Sequence, residues 1–181
     1  MNAPNFISLT RLVMVPVVVW LLLKGHYPAA FWVFIAAGIS DAVDGFLAKR
    51  MGMRTVIGSF LDPLADKTLL VSVYVTLGYQ DYIATWLVIL VVFRDLIIIG
   101  GALLFETVTH SLTMQPLMIS KINTLSQIVL VGVVLGGLGL SVDTTPWWPL
   151  LTWVTAATTV LSGAVYMVKW TRKVSAVEHT E

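Results

Sequence analysis

The sequence predicts an all-α integral membrane protein of six transmembrane helices, with both termini on the cytoplasmic side. Three observations carry this reading. Of the 181 residues, 57% are hydrophobic and 12% charged, with a mean hydropathy of +0.88, a composition typical of integral membrane proteins. The apolar residues gather in six runs near the ~20 residues that a membrane-crossing helix needs. Lys and Arg sit on alternate connectors between those runs.

The six runs cover roughly 8–23, 29–48, 60–78, 83–105, 120–139 and 148–169. Three connectors are short and rich in turn residues: KGHYP at 24–28, GYQD at 78–81 and SVDTTP at 141–146. The longer ones are 49–59 and 106–119. A chain in lipid must satisfy its own backbone hydrogen bonds, which leaves helices or a closed barrel. These runs are too long and too uniformly apolar for barrel strands. A single membrane domain, 1–181, accounts for the whole chain.

Arg11, Lys49, Arg50, Arg54, Lys67, Lys121, Lys169, Arg172 and Lys173 fall on the side of the termini, and Lys24 alone on the other. That bias places the termini in the cytoplasm. Tyr27, Trp32, Tyr82, Trp86, Trp147 and Trp148 fall near the outer interface and Trp170 near the inner one, as anchoring aromatics do. Gly132 with Gly136, and Gly100 with Gly101, are expected to allow close helix packing. The N-terminal MNAPNFISLT has no basic region or small-residue cleavage site, so the first apolar segment is expected to stay in the mature protein. With no cysteine in the chain, thiolate chemistry is excluded. His26, His110 and His179 lie in connectors or the tail and are read as bystanders.

The polar chemistry concentrates in DAVDGFLAKRMGMRTVIGSFLDPLAD, residues 41–66. Asp41 and Asp44 are three apart, Asp62 and Asp66 four apart, and either spacing puts a pair on one helix face. The 49–59 connector is short enough to bring the pairs face to face. Carboxylates near lipid are costly, and four together raise one another's pKa. Cations resolve that repulsion. A donor set of oxygens without His or Cys suits Mg²⁺, Mn²⁺ or Ca²⁺, and two ions about 3.5–4 Å apart serve displacement at phosphorus. Gly45 and Ala48 keep that face low, Lys49, Arg50 and Arg54 offer cations to phosphate oxygens, and Thr55 and Ser59 add hydroxyls. Pro63 is expected to kink or restart the third helix.

This stretch resembles the signature of the CDP-alcohol phosphatidyltransferases, Asp-x2-Asp-Gly-x2-Ala-Arg-x8-Gly-x3-Asp-x3-Asp. Here it is filled by Asp41, Asp44, Gly45, Ala48, Lys49, Gly58, Asp62 and Asp66, with every spacing matched. Lys49 stands where the family has Arg, keeping the charge but losing the bidentate fork. The resemblance implies the family's six-helix fold. It implies that Asp41, Asp44 and Asp62 hold two divalent cations, Mg²⁺ or Mn²⁺, on the pyrophosphate of a CDP-linked donor. Asp66 would be the general base and also touch a metal. Gly45 and Ala48 would make room for cytidine, and Lys49 and Thr55 would contact donor phosphates, with Gly58 and Ser59 part of the same cradle. The N-terminal NFISLTR is similar to the family's Asn-x-x-Thr-x-x-Arg pattern, which makes Asn5 and Thr10 donor-binding candidates; capping of the first helix by Thr10 and Arg11 competes with that role.

The acceptor is read from cations outside the signature. Arg94 and Asp95 lie about twelve residues into the fourth helix; as neighbours they are expected to point apart and not to neutralise each other. Arg94 is expected to line the acceptor cavity, and Lys121 and Asn123, in SKINT, to join it; a structural Arg94 and a snorkelling Lys121 are the alternatives. Within the family, phosphatidylglycerophosphate synthases carry Arg-Glu-…-Gly-Leu-Arg and Gly-Lys-x-Lys-Thr at these places. In this chain Ala102 and Asn123 stand near or at two of those four cations. FRDL, ISKINTLSQIVLV and YVTLGYQD resemble the CMP-forming cardiolipin synthases instead. That resemblance implies transfer from CDP-diacylglycerol to phosphatidylglycerol in a bacterial inner membrane, with glycerol 3-phosphate as the competing acceptor. A homodimer is compatible with the family, and nucleic acid is not expected as a partner. A divalent-cation transporter is a remote alternative, disfavoured because all four carboxylates lie at one end.

Overall fold

The computed structural model describes the backbone of residues 3–51, 56–109 and 118–178, and the side chains of residues 10, 12–40, 67–101 and 118–169. Among the described residues the chain is all-helical, with six α-helices: α1 (Ala3–Leu23), α2 (Tyr27–Met51), α3 (Val56–Tyr79), α4 (Thr85–Thr109), α5 (Met118–Leu140) and α6 (Trp148–Glu178). A 3-10 turn, Thr145–Trp147, leads into α6. Each helix corresponds to one apolar run, and most overrun it. An apolar run reports depth in lipid, whereas the i→i−4 ladder continues for as long as the backbone stays helical. Residues 41–51 and 170–178 are therefore helical although polar. Pro63 lies within α3, which runs unbroken through it and does not restart there. α4 begins at Thr85, two residues later than the apolar run at 83–105 suggested.

The turns explain the reversals. At the end of α1, Gly25 adopts φ 74°, its N–H bonds the carbonyl of Leu22 (3.0 Å), and the N–H of His26 bonds that of Leu21 (2.9 Å). This paired closure is a Schellman motif. The end of α3 repeats it with Asp81 at φ 60°, the N–H groups of Asp81 and Tyr82 reaching Gly78 and Leu77. Asp tolerates the left-handed conformation better than most side chains. At the end of α5, Ser141 turns the chain at φ 56°. Thr144 then fixes the return: its hydroxyl donates to the carbonyl of Val133 (3.0 Å) and accepts from Trp148 Nε1 (3.0 Å).

All three turns lie at one end of the bundle. Gln80 Nε2, in the second turn, bonds the carbonyl of Leu22 in the first at 2.8 Å. Tyr27 and Tyr82 join hydroxyls at 3.1 Å, and Tyr82 meets Trp148 edge to face. Three of the expected interfacial aromatics thus also pack together, while Trp32 and Trp147 are exposed. The other end collects the start of α1, the α2/α3 and α4/α5 junctions and the end of α6.

Between these ends each helix buries one stripe. On α5 the buried residues are Asn123, Gln127, Leu130, Val131, Val134 and Leu135, a helical i, i+4, i+7, i+8 pattern. Val18, Leu22, Val73, Leu77, Leu87, Val91, Val134 and Leu135 form a dry core toward the turn end. The opposite faces are apolar as well: Trp20, Ile89, Phe93, Leu125, Trp153 and Leu161 are all exposed. A bundle apolar on its outside is suited to hydrocarbon, since water rarely tolerates patches of this extent. α5 and the segment Thr145–Lys169 are long and apolar enough to cross a membrane.

The glycines that permit close approach are not those expected. A Cβ on Gly132 or Gly100 would meet open space, and one on Gly136 only an ordinary contact with Phe31. Gly137 instead lies against the Thr144 hydroxyl, and a Cβ at Gly139 would lie 3.0 Å from the Tyr27 carbonyl oxygen and 3.1 Å from Pro28 Cα. The close crossing is the end of α5 over the start of α2, one turn beyond the pair singled out by spacing.

Candidate active site

The backbone places Asp41 and Asp44 in the second half of α2 and Asp62 and Asp66 in the first half of α3. Both pairs keep helical spacing and lie toward the end opposite the three turns. Gly45, Ala48 and Lys49 continue α2, and Gly58 and Ser59 open α3. The side chains of Asn5, Asp41, Asp44, Lys49, Ser59, Asp62 and Asp66 lie outside the described residues, as does Thr55 altogether. Thr10 is an exposed residue of α1. Two carboxylate pairs supply only hard oxygen donors, a set whose chemistry fits divalent Mg²⁺ or Mn²⁺.

One residue beyond Asp66 begins a buried charge cluster. Lys67 Nζ donates to both carboxylate oxygens of Asp95, at 2.7 Å each. Asp95 Oδ1 also accepts from Arg94 Nη1 at 2.6 Å. The two neighbours on α4 therefore do pair, contrary to the expectation that they point apart. The long Arg side chain folds back across the helix and brings its guanidinium to the adjacent carboxylate. Arg94 Nη2 continues the chain, donating to Ser120 Oγ of α5 (2.7 Å) and to Ser162 Oγ of α6. The guanidinium also lies 6.0 Å from the centre of the Tyr166 ring, within cation–π range. One carboxylate and one guanidinium thus pin α3, α4, α5 and α6 at a single level.

Burial grades across this cluster. Arg94 and Asp95 are 3% and 4% exposed, while Lys67 retains 24%, so the cluster opens on the α3 side. Among the described residues the Nε–H of Arg94 has no hydrogen-bond partner. A buried N–H without a partner is costly.

Below this layer the polar path continues between α5 and α6. Asn123 is fully buried, and its Oδ1 accepts from Thr158 (3.1 Å) and Thr159 (2.8 Å). One turn on, Gln127 is also fully buried, and the Tyr74 hydroxyl bonds its backbone carbonyl at 3.2 Å. Of the three acceptor candidates, Arg94 and Asn123 thus sit in the bundle core, while Lys121 is exposed. Sequence reasoning did not find Lys67 as a partner of Asp95, or Ser120 and Ser162 as partners of Arg94. Their only trace in the sequence is adjacency, Lys67 to Asp66 and Ser120 to Lys121.

The family model for CDP-alcohol phosphatidyltransferase matches residues 1–172. The chain belongs to this family, whose members are membrane-associated and generally dependent on divalent cations. It is 35% identical over 188 residues to a rice protein, CDP-diacylglycerol–glycerol-3-phosphate 3-phosphatidyltransferase 1, chloroplastic, covering 94% of this chain and 57% of the relative. It is 32% identical over 179 residues to human cardiolipin synthase (CMP-forming), covering 90% and 60%. Identity to the CDP-diacylglycerol–glycerol-3-phosphate 3-phosphatidyltransferase of Bacillus subtilis is 30% over 185 residues, covering 93% and 94%. The chain thus spans little more than half of the rice and human proteins and nearly all of the bacterial one.

Proposed function

We propose that this chain transfers a phosphatidyl group from CDP-diacylglycerol to a hydroxyl of phosphatidylglycerol, forming cardiolipin and releasing CMP. The observation that carries the choice of acceptor is the buried Lys67–Asp95–Arg94 cluster. Arg94 is the buried cation of that cluster, and Ala102 and Asn123 stand near or at the places where phosphatidylglycerophosphate synthases carry two further cations, a less positive set that suits a phosphodiester with one negative charge. Relatives named for both acceptors match the chain, so glycerol 3-phosphate is the second reading.

In the proposed reaction the acceptor hydroxyl oxygen attacks the phosphorus on the lipid side of the pyrophosphate. A new P–O bond forms as the P–O bond to the CMP phosphate breaks, and Asp66 takes the hydroxyl proton. Asp41, Asp44, Asp62 and Asp66 would hold two divalent cations, which when bound neutralise charge on the pyrophosphate. Gly45 and Ala48 leave room for the nucleotide, and Asn5, Thr10, Lys49, Thr55, Gly58 and Ser59 form the donor cradle. Arg94 offers its free Nε–H to the acceptor phosphate, with Asn123 deeper in the same core and Lys121 at its rim. We further infer six spans in a bacterial inner membrane, the aspartates facing the cytoplasm, from the one-sided distribution of Lys and Arg.

The test is CMP release by the purified chain in lipid, given CDP-diacylglycerol, Mg²⁺ or Mn²⁺, and one acceptor at a time. Phosphatidylglycerol should support release. Activity with glycerol 3-phosphate alone would overturn the cardiolipin reading in favour of the second.

A further inference from the structure

We propose that Asn123 and Gln127 form a buried water site in the bundle core, where α5 faces α3 and α6. Such a site is independent of which acceptor the chain uses. Both residues are 0% exposed. Asn123 Oδ1 accepts from the Thr158 and Thr159 hydroxyls, which fixes the orientation of the amide. Among the described residues, Asn123 Nδ2 has no hydrogen-bond partner, and neither has Nε2 or Oε1 of Gln127. The two residues share one face of α5, one turn apart, with about 5–6 Å between Cβ atoms. Helical side chains lean toward the helix N-terminus, so the longer Gln127 reaches back toward Asn123. The Tyr74 hydroxyl, bonded to the Gln127 carbonyl at 3.2 Å, brings α3 to the same level.

The chemistry of these atoms selects the occupant. Amide groups left unpaired away from bulk water are costly, the more so in a bundle whose outside is apolar. The pair offers two N–H donor groups, Asn123 Nδ2 and Gln127 Nε2, and one acceptor, Gln127 Oε1. A cation would be repelled by the N–H groups and an anion by Oε1, and neither amide carries a charge to compensate it. Water both donates and accepts, and it fills polar interior sites that offer it two to four partners. An alcohol hydroxyl bonds in the same way, but its carbon chain would need a way in, and both side chains are closed to solvent. The α5 stripe changes character at this level. From Leu130 onward its buried residues are apolar, so the wet part of the core ends at Gln127.

The experiment is a crystal structure of the full-length wild-type chain, grown from lipid without acceptor, at a resolution that shows ordered water. A density peak is expected within about 2.7–3.2 Å of Asn123 Nδ2 and of a Gln127 amide atom. A direct bond between the two amides with no peak would overturn the water site. So would a peak that appears only after glycerol 3-phosphate or phosphatidylglycerol is added, which would give the site to an acceptor hydroxyl instead. Gln127→Leu, crystallised in the same way, removes two of the three bonding groups and should lose the peak; a peak that persists there would overturn the role of Gln127. Should Gln127→Leu fail to fold, the wild-type structures with and without acceptor still decide. None of these outcomes depends on CMP release, so the site and the proposed function stand or fall separately.

Discussion

At the scale of single residues, Asp66 and Arg94 stand for the two halves of the proposed reaction. If Asp66 takes the proton, Asp66→Asn keeps the shape and loses the base, and turnover should fall by about two to four orders of magnitude. Binding of CDP-diacylglycerol, measured by calorimetry with Mg²⁺, should persist. Near-normal turnover would remove Asp66 as the base. Arg94→Ala should raise the acceptor KM more than the donor KM. It also leaves the Ser120 and Ser162 hydroxyls without the guanidinium, while Asp95 keeps Lys67. The melting temperature should therefore fall less than for a carboxylate stranded with no cation. Equal effects on the two KM values would make Arg94 a structural tie. The helical spacing of the aspartates was legible in the sequence because each pair lies within one helix, Asp41 and Asp44 in α2 and Asp62 and Asp66 in α3, where spacing alone defines a face. The partners of Arg94 were not, because they lie 26 and 68 residues away and meet it only through the rotation of three helices about their axes.

Among the helices, apolar runs located all six but misjudged their ends, because hydrophobicity marks the lipid and the backbone ladder ignores it. The crossing of α5 over α2 was misplaced for a related reason. Spacing of small residues shows that a helix has a smooth face, whereas the height of a crossing depends on the partner. The structure separates the two. Gly139→Ala forces backbone at Tyr27 and Pro28 apart and Gly137→Ala pushes on a hydroxyl already fixed by two bonds; each should cost about 1–3 kcal/mol. Gly132→Ala fills open space and should be neutral or slightly stabilising, since Ala favours helix over Gly. Thermal unfolding of the three variants in one detergent checks the order, and a Gly132→Ala that is the least stable would contradict it.

For the whole molecule, the lack of cysteine makes orientation directly measurable. Single cysteines at Asp143, in the exposed α5–α6 turn, and at Lys173 should react with a membrane-impermeant thiol reagent from opposite sides, Asp143→Cys from outside an intact cell. Reaction of both from the same side would contradict the assigned topology. The molecule is also divided along its length. Toward the three turns, Val18, Leu22, Val73, Leu77, Leu87 and Val134 are sealed and apolar, under the Gln80 and Tyr27–Tyr82 ties. Toward the other end the core turns polar and charged. Opening is cheapest where few apolar contacts close it, so amide hydrogen exchange should be slowest at Leu77, Leu87 and Val134 and faster around Ser120 and Ser162. In the proposed membrane arrangement the bundle would act as a stopper with a working mouth: one end can rearrange while the plug keeps the membrane tight to ions. Mild heating should accordingly abolish the proposed CMP release well before the vesicle begins to leak.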